Sequence, residues 1–244
     1  INPVAGPATS DRLARKYLCL DDFEQKARRV LPRFLFEFIQ GGAETHSTLR
    51  GNREQFARYE FIPRVLRDTS GRSQQTRIFG KTYDAPFGIS PMGGAPICAY
   101  RGDLALARGA QGANVPFILS GGSMTRLEDI KQASENSWFQ AYLAGEDDAI
   151  ERLLRRVEEA GYETLVLTVD LPVNGNRERN RRNGYRLPIV VTPQVTWDSI
   201  RHPRWLLGTA VNTLIRHGMP HFENQYAERG LPIVSRHLKR SMAN

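Results

Sequence analysis

Between Ala85 and Leu187 the chain repeats one unit four times: a short apolar run, a turn of small residues, then a segment with helical apolar spacing. The runs expected as strands are Phe87 to Pro91, Pro116 to Ser120, Trp138 to Tyr142 and Thr164 to Asp170, starting about 25 residues apart. Helices are expected over Gly102 to Gln111, Arg126 to Ser134 and Asp147 to Ala160. Strands joined through single helices run parallel with right-handed crossovers, which leads to a doubly wound sheet or to a (β/α)8 barrel. No Gly-x-Gly-x-x-Gly turn follows the first run, which weighs against a dinucleotide-binding sheet. Four units fill half of an eight-strand barrel, and an open half leaves unpaired strand edges, so a second half is expected from elsewhere.

The flanks differ from the repeat. Residues 1–84 read as a helical lead-in: Asp21 to Leu31 has helical spacing after an acidic start, and a second helix is expected from Pro32 to Gly41-Gly42. Residues 85–187 are expected to form the first half of the barrel. Residues 188–244 lose the rhythm and read as a basic, aromatic excursion from it. The net charge of +8 lies at this end, because Arg177 to Arg240 holds twelve Lys and Arg against four acidic residues. Such an excess suits nucleic acid, anionic lipid or an acidic substrate, and no nucleic-acid motif accompanies it. At 40% apolar residues the chain can bury a sizeable core, which excludes a disordered class. Cys19 and Cys98 are too few for a disulfide framework, and with no signal peptide or span-length apolar run legible, a cytoplasmic protein is expected.

In parallel α/β folds, reactive side chains collect at the carboxyl ends of strands. The expected ends carry Pro91-Met92-Gly93-Gly94, Ser120-Gly121-Gly122, Gln140 with Tyr142, and Thr168 with Asp170. Small residues at the first two let a flat ligand approach the backbone, and the last two offer amide, phenol, hydroxyl and carboxylate groups. This suits a large planar cofactor. It equally suits glycines that only make turns, with Gln140, Tyr142 and Thr168 satisfying one another. After Asp170 comes a turn and a run of arginines, of which Arg177 is the candidate to clamp a substrate carboxylate. A solvated loop arginine is the alternative, as it is for Arg179, Arg181 and Arg182, and Asp170 could instead pair with one of them. His217 and His221 have metal-like spacing, but Gly218 and Pro220 between them oppose a shared helix face, and no metal site is expected.

Taken together, Leu31-Pro32, Gly41 to Glu44, Asn52-Arg53, Phe61 to Arg64, Pro86 to Gly93, Gly102 to Arg108, Leu119-Ser120, Trp138 to Tyr142 and Leu167 to Asp170 resemble the FMN-dependent α-hydroxy-acid dehydrogenases and oxidases. The likeness runs from about Asp21 to the end. Val173 to Arg179, His202 to Trp205 and Arg216 to Pro220 are similar to the mandelate dehydrogenase branch rather than to the lactate or glycolate enzymes. The resemblance implies a (β/α)8 TIM barrel and FMN, with Pro91, Met92 and Gly93 against the flavin ring and Ser120, Gln140 and Thr168 at its polar edge. It implies oxidation of an L-2-hydroxy acid to the 2-oxo acid, with Tyr142 and Arg177 binding substrate and Asp170 supporting a catalytic histidine. Electrons would pass to a membrane acceptor such as quinone, in a homotetramer held peripherally on the inner face of the cell membrane. An oxygen-reducing oxidase and a non-catalytic half-barrel or lipid-binding fragment are the alternatives.

Two departures accompany the likeness. The histidine, a second arginine and the late phosphate-binding loops that the family places in its C-terminal half have no counterpart in these residues, so this stretch alone is expected to be inactive. Phe38 stands where most relatives carry a tyrosine, leaving one hydrogen bond to the substrate carboxylate unmade, unless Phe38 is plain core packing. In the basic excursion, Trp197, Trp205, Leu206 and Leu207 interleaved with Arg201 and Arg204 fit an interfacial anchor on anionic lipid, with a cover over the barrel mouth or a subunit interface as the other reading.

Overall fold

The computed structural model describes residues 13–143, 145–170, 173 and 175–235. Leu171, Pro172 and Asn174 of the strand-end segment, and His237, lie outside the described residues. The lead-in includes the helices α1 (Leu20–Val30), α2 (Arg33–Gln40) and α3 (Ser47–Glu54). Asp22 accepts backbone N–H bonds from Leu18 and Cys19, and Asp21 and Asp22 sit at the positive end of the α1 dipole while Arg28 and Arg29 sit at the other. α2 starts after Pro32, whose missing N–H costs nothing there, and stops at Gly41.

The lead-in is not all helix. Strands β1 (Thr76–Ile78) and β2 (Lys81–Tyr83) form an antiparallel hairpin. Its two-residue turn, Phe79-Gly80, has φ of +49° and +82°, the pattern whose twist matches the flanking strands. The hairpin docks beneath the sheet, where the indole N–H of Trp138 donates to the buried Tyr83 hydroxyl at 3.1 Å.

The repeat folds as expected in all but its first strand. β3 (Phe117–Ser120), β4 (Ser137–Ala141) and β5 (Leu165–Leu167) lie side by side in parallel. Helices α5 (Gly102–Gly112), α6 (Leu127–Ala133) and α7 (Asp147–Glu159) alternate with them, after the short α4 (Ala95–Cys98). The run Phe87 to Pro91 shrinks to one bridge, Ile89 against Phe117, with Ile89 N–H donating to Pro116 O and Ile118 N–H to Ile89 O. Pro86 and Pro91 bring no ladder donors. At Gly88 a Cβ would come within 2.6 Å of Pro116 O, so only glycine permits this approach.

Two cores form. One joins the sheet to its helices through Phe117, Leu119, Phe139, Leu127, Ile130 and Leu153. Ala107 and Ala110 let α5 lie close on it. The other joins α2 to the excursion through Phe34, Leu35, Tyr185, Ile189, Val195 and Trp205. The excursion is therefore structured. α8 (Glu178–Arg182), β6 (Ile189–Val190), α9 (Pro193–Ile200) and a continuous helix follow in order. That last helix comprises α10 (Pro203–Trp205), a wider π-turn segment Leu206–Val211 and α11 (Asn212–His217). β7 (Val234–Ser235) returns to pair with β6. Trp205, expected at a lipid surface, is only 7% exposed and donates its indole N–H to Ile97 O at 2.7 Å. This corrects its place in the anchor: it holds the excursion to α4. Trp197 and Leu207 are exposed.

Candidate active site

Register brings the strand ends together. Ser120 on β3 lies opposite Gln140 on β4, and Thr168 follows β5. Their side chains form one line: the Ser120 hydroxyl donates to the Gln140 carbonyl at 3.0 Å, and the Gln140 amide donates to the Thr168 hydroxyl at 2.8 Å. Gly121 N–H also donates to that carbonyl, at 3.3 Å, and Gly122 N–H donates to Ser120 Oγ at 3.1 Å. Gln140 and Thr168 thus satisfy one another in part, and Tyr142 takes no part in the line. One amide hydrogen of Gln140 and the Thr168 hydroxyl hydrogen are left over for a ligand.

Beside this line the loops are flat. A Cβ on Gly93 would sit 3.3 Å from Gly122 O, so the Pro91–Gly93 and Gly121–Gly122 segments abut backbone to backbone. Met92, 44% exposed, stands at their edge. Donors beside a glycine-walled surface fit the polar rim and flat face of a flavin. Asp103, near the start of α5, accepts a short hydrogen bond from the Ser123 hydroxyl and ties this loop to the helix. Burial pushes the Asp103 carboxyl up to about 6, against the lowering effect of its bonds to Ser123 and Thr125. Burial also pushes the Cys98 thiol up to about 11, so it is no ready nucleophile.

Tyr142 and Asp170 are exposed, and the side chains of both lack a hydrogen bond or ion pair among the described residues. Leu143, at φ +47°, turns the chain sharply just after Tyr142.

Arg177 belongs to a second grouping. Glu44 N–H donates to Asn176 O at 3.0 Å, and Gly175 packs against Ala43, so the lead-in holds the loop that presents Arg177. The guanidinium lies 5.5 Å over the Phe38 ring, whose stacking partner is Tyr185 at 4.0 Å and 14°. Phe38 is thus a ring beneath the candidate carboxylate clamp rather than plain core. Arg182 pairs with Glu178 in solvent, one turn along α8 and not in a loop.

Several residues of the site were not legible beforehand. Tyr185 sits in Asn183-Gly184-Tyr185, which reads as a turn. Asn224, fully buried, receives Leu127 N–H and donates to Thr125 O, closing the excursion onto the loop after β3, and its sequence neighbourhood carries no signal. Arg156 makes paired bonds to Glu128 and also donates to Glu223 O. This pairing holds the Glu128 carboxyl down to about 2. Among the described residues no group of three His, Cys, Asp or Glu is placed to hold a metal.

Known proteins resemble this chain over most of its length. Residues 27–242 match the FMN-dependent dehydrogenases. The chain is 37% identical over 206 residues to (S)-mandelate dehydrogenase of Pseudomonas putida, covering 84% of this chain and 51% of that protein. It is 36% identical to a putative L-lactate dehydrogenase of Mycobacterium tuberculosis (81% and 48% covered) and 39% identical to 4-hydroxymandelate oxidase of Amycolatopsis orientalis (72% and 49%). The crystal structure of the monotopic membrane protein (S)-mandelate dehydrogenase superposes with a TM-score of 0.74 at 36% identity, over 84% of this chain and 53% of that one. The chain spans about half the length of these relatives, and its four strand positions correspond to part of a (β/α)8 barrel. It belongs to the FMN-dependent dehydrogenase family.

Proposed function

We propose that the protein oxidises an L-2-hydroxy acid, lactate- or mandelate-like, to the 2-oxo acid with FMN and delivers the electrons to a membrane acceptor such as quinone. The observation that carries this is the Ser120–Gln140–Thr168 line at three adjacent strand ends, set beside the Gly93–Gly122 surface. Bound there, FMN supplies two-electron acceptance. Ser120, Gln140 and Thr168 hold its polar edge, and Pro91, Met92 and Gly93 lie along its ring. Arg177 clamps the substrate carboxylate, Tyr142 bonds the substrate, and Asp170 offers its carboxylate to orient an imidazole. Of the histidines described, His46 lies in the lead-in and His202, His217 and His221 in the excursion, where they bond Asp198 O, Tyr100 and Met219 O rather than Asp170. That imidazole therefore comes from outside them.

Membrane delivery rests on the excursion and on the monotopic relative. Exposed Trp197, Ile200, Leu207 and Ile215 accompany Arg201, Arg204 and Arg216, a mixture that suits an anionic interface. No helix among the described residues is long and apolar enough to cross a membrane, which fits peripheral attachment at the inner face. A cavity of about 520 Å³ opens between this helix and the loops after the strand ends, lined by Ile97, Met124, Trp205, Leu206 and Leu214. It offers an apolar approach for a quinone. The second reading, an oxygen-reducing oxidase, is favoured by the 39% identity to 4-hydroxymandelate oxidase. The protein as encoded in full, loaded with FMN, should convert (S)-mandelate or L-lactate and a soluble quinone into equal amounts of 2-oxo acid and quinol. Peroxide in place of quinol would favour the oxidase, and absence of 2-oxo acid would remove both readings.

A further inference from the structure

The ring pair beneath Arg177 carries one phenol, on the Tyr185 side, and that hydroxyl has no use within the described fold. Tyr185 is 6% exposed, yet its hydroxyl has no hydrogen-bond partner among the described residues. That oxygen is not itself enclosed: among the described residues the enclosed side-chain polar atom without a partner is Ser137 Oγ, so the Tyr185 ring is buried while its hydroxyl opens to the concavity it lines. Its ring lies flat on Phe38, and Arg177 lies over that same Phe38 ring. Tyr185, Arg177, Asn180, Arg181 and Arg186 line one concavity that contains no acidic side chain. Arg181 and Arg186 have no salt-bridge partner among the described residues, so the concavity is lined by positive charge that no acidic side chain there offsets.

We propose that the Tyr185 hydroxyl donates to the substrate carboxylate held by Arg177, so that Tyr185 supplies from across the stacked pair the phenol that Phe38 does not have. This rests on the reading of Arg177 as the carboxylate clamp. A carboxylate has about four lone-pair sites, and two guanidinium N–H bonds leave room for a neutral O–H donor. Burial, with a smaller push from Cys98, raises the pH at which the phenol ionises, while the charge of Arg177 opposes the rise, so the group stays a donor across neutral and mildly alkaline pH. Asn183 anchors the position: its side-chain amide makes a short hydrogen bond to Glu37 on α2, four residues before Gly41. The same α2 that presents Phe38 thus fixes the turn that presents Tyr185.

The test uses the FMN-loaded protein as encoded in full, with Tyr185→Phe and with the exchange variant F38Y/Y185F, which moves the hydroxyl back across the stack. Binding of benzoylformate, a non-reacting 2-oxo acid, is measured by calorimetry, and KM and kcat by flavin reduction with (S)-mandelate. Y185F is expected to raise Kd and KM about tenfold or more with kcat changed far less, at an unaltered flavin spectrum and melting temperature. The exchange variant is expected to recover most of that loss. Unchanged Kd in Y185F would overturn the proposal, as would a loss that F38Y leaves unrepaired. If the unaltered protein binds benzoylformate but no 2-hydroxy acid reduces its flavin, the oxidation reading fails while the Kd comparison still decides Tyr185.

Discussion

Arg177 shows how much one residue's role depends on what lies behind it. Its guanidinium rests on the Phe38–Tyr185 stack in a loop pinned to Glu44, so its planar fork is held rather than free. Arg177→Lys keeps the charge but loses the paired geometry. We expect KM for the 2-hydroxy acid to rise about 10- to 100-fold in steady-state assays, the size of one or two charge-assisted hydrogen bonds. Asp103 makes a different prediction, on stability. Burial lifts its carboxyl to about 6 in the folded protein, against 3.8 for an ordinary exposed aspartate, so the folded protein binds the extra proton between these values. Stability from this group is complete below about pH 4 and lost as pH rises through 6, by up to about 3 kcal/mol. Asp103→Asn should flatten that fall in urea midpoints measured from pH 4 to 7. The Glu128–Arg156 pair runs the opposite way, its contribution fading as pH falls from about 4.5 towards 2. Ser120, Gln140 and Thr168 were legible as strand-end residues because each falls within or directly after an apolar run that folds as a strand. Tyr185 and Asn224 were not, because their partners lie far away in the chain and no local pattern encodes such pairs.

Among the elements, the βα units were legible because apolar period 2 and period 3.6 alternate cleanly there, and α5, α6 and α7 match their expected spans within a residue or two. The excursion's helices carry signals that its aromatic and basic residues overshadow. Thr192 caps α9, accepting Val195 N–H at 3.2 Å, and Pro193 and Pro203 each stand at a first helical position. Burial was the part hidden from sequence: nothing in His202 to Leu207 says that Trp205 turns inward against Ile97 and Phe34 while Leu207 stays out. Trp205→Ala should cost about 3–5 kcal/mol of unfolding free energy by removing a core ring and its hydrogen bond. Trp197→Ala, at an exposed site, should change chemical-denaturation midpoints little.

For the molecule as a whole, the positive charge divides between the lead-in and the excursion, whereas the barrel units between them are close to neutral, and in the excursion Arg201 and Arg204 stand among exposed Trp197, Ile200 and Leu207. Binding to vesicles containing anionic phosphatidylserine should weaken as salt is raised, and R201Q/R204Q should weaken it about 30-fold, near 1 kcal/mol for each cation removed. Equal binding to neutral and anionic vesicles in a co-sedimentation assay would contradict this use of the basic surface. β5 pairs only with β4 among the described residues, and Leu165 and Leu167 are exposed, so the sheet presents an open edge where a barrel would continue. The central claim is oxidation of a 2-hydroxy acid at a flavin held by Ser120, Gln140 and Thr168. Its most direct measurement is the visible spectrum of the protein as encoded in full, under anaerobic conditions, before and after addition of (S)-mandelate or L-lactate. The oxidised flavin band should bleach with one of these acids in the unaltered protein, and Gln140→Leu should retain less flavin. A protein that takes up no FMN, or whose flavin stays oxidised with every 2-hydroxy acid offered, would contradict the account.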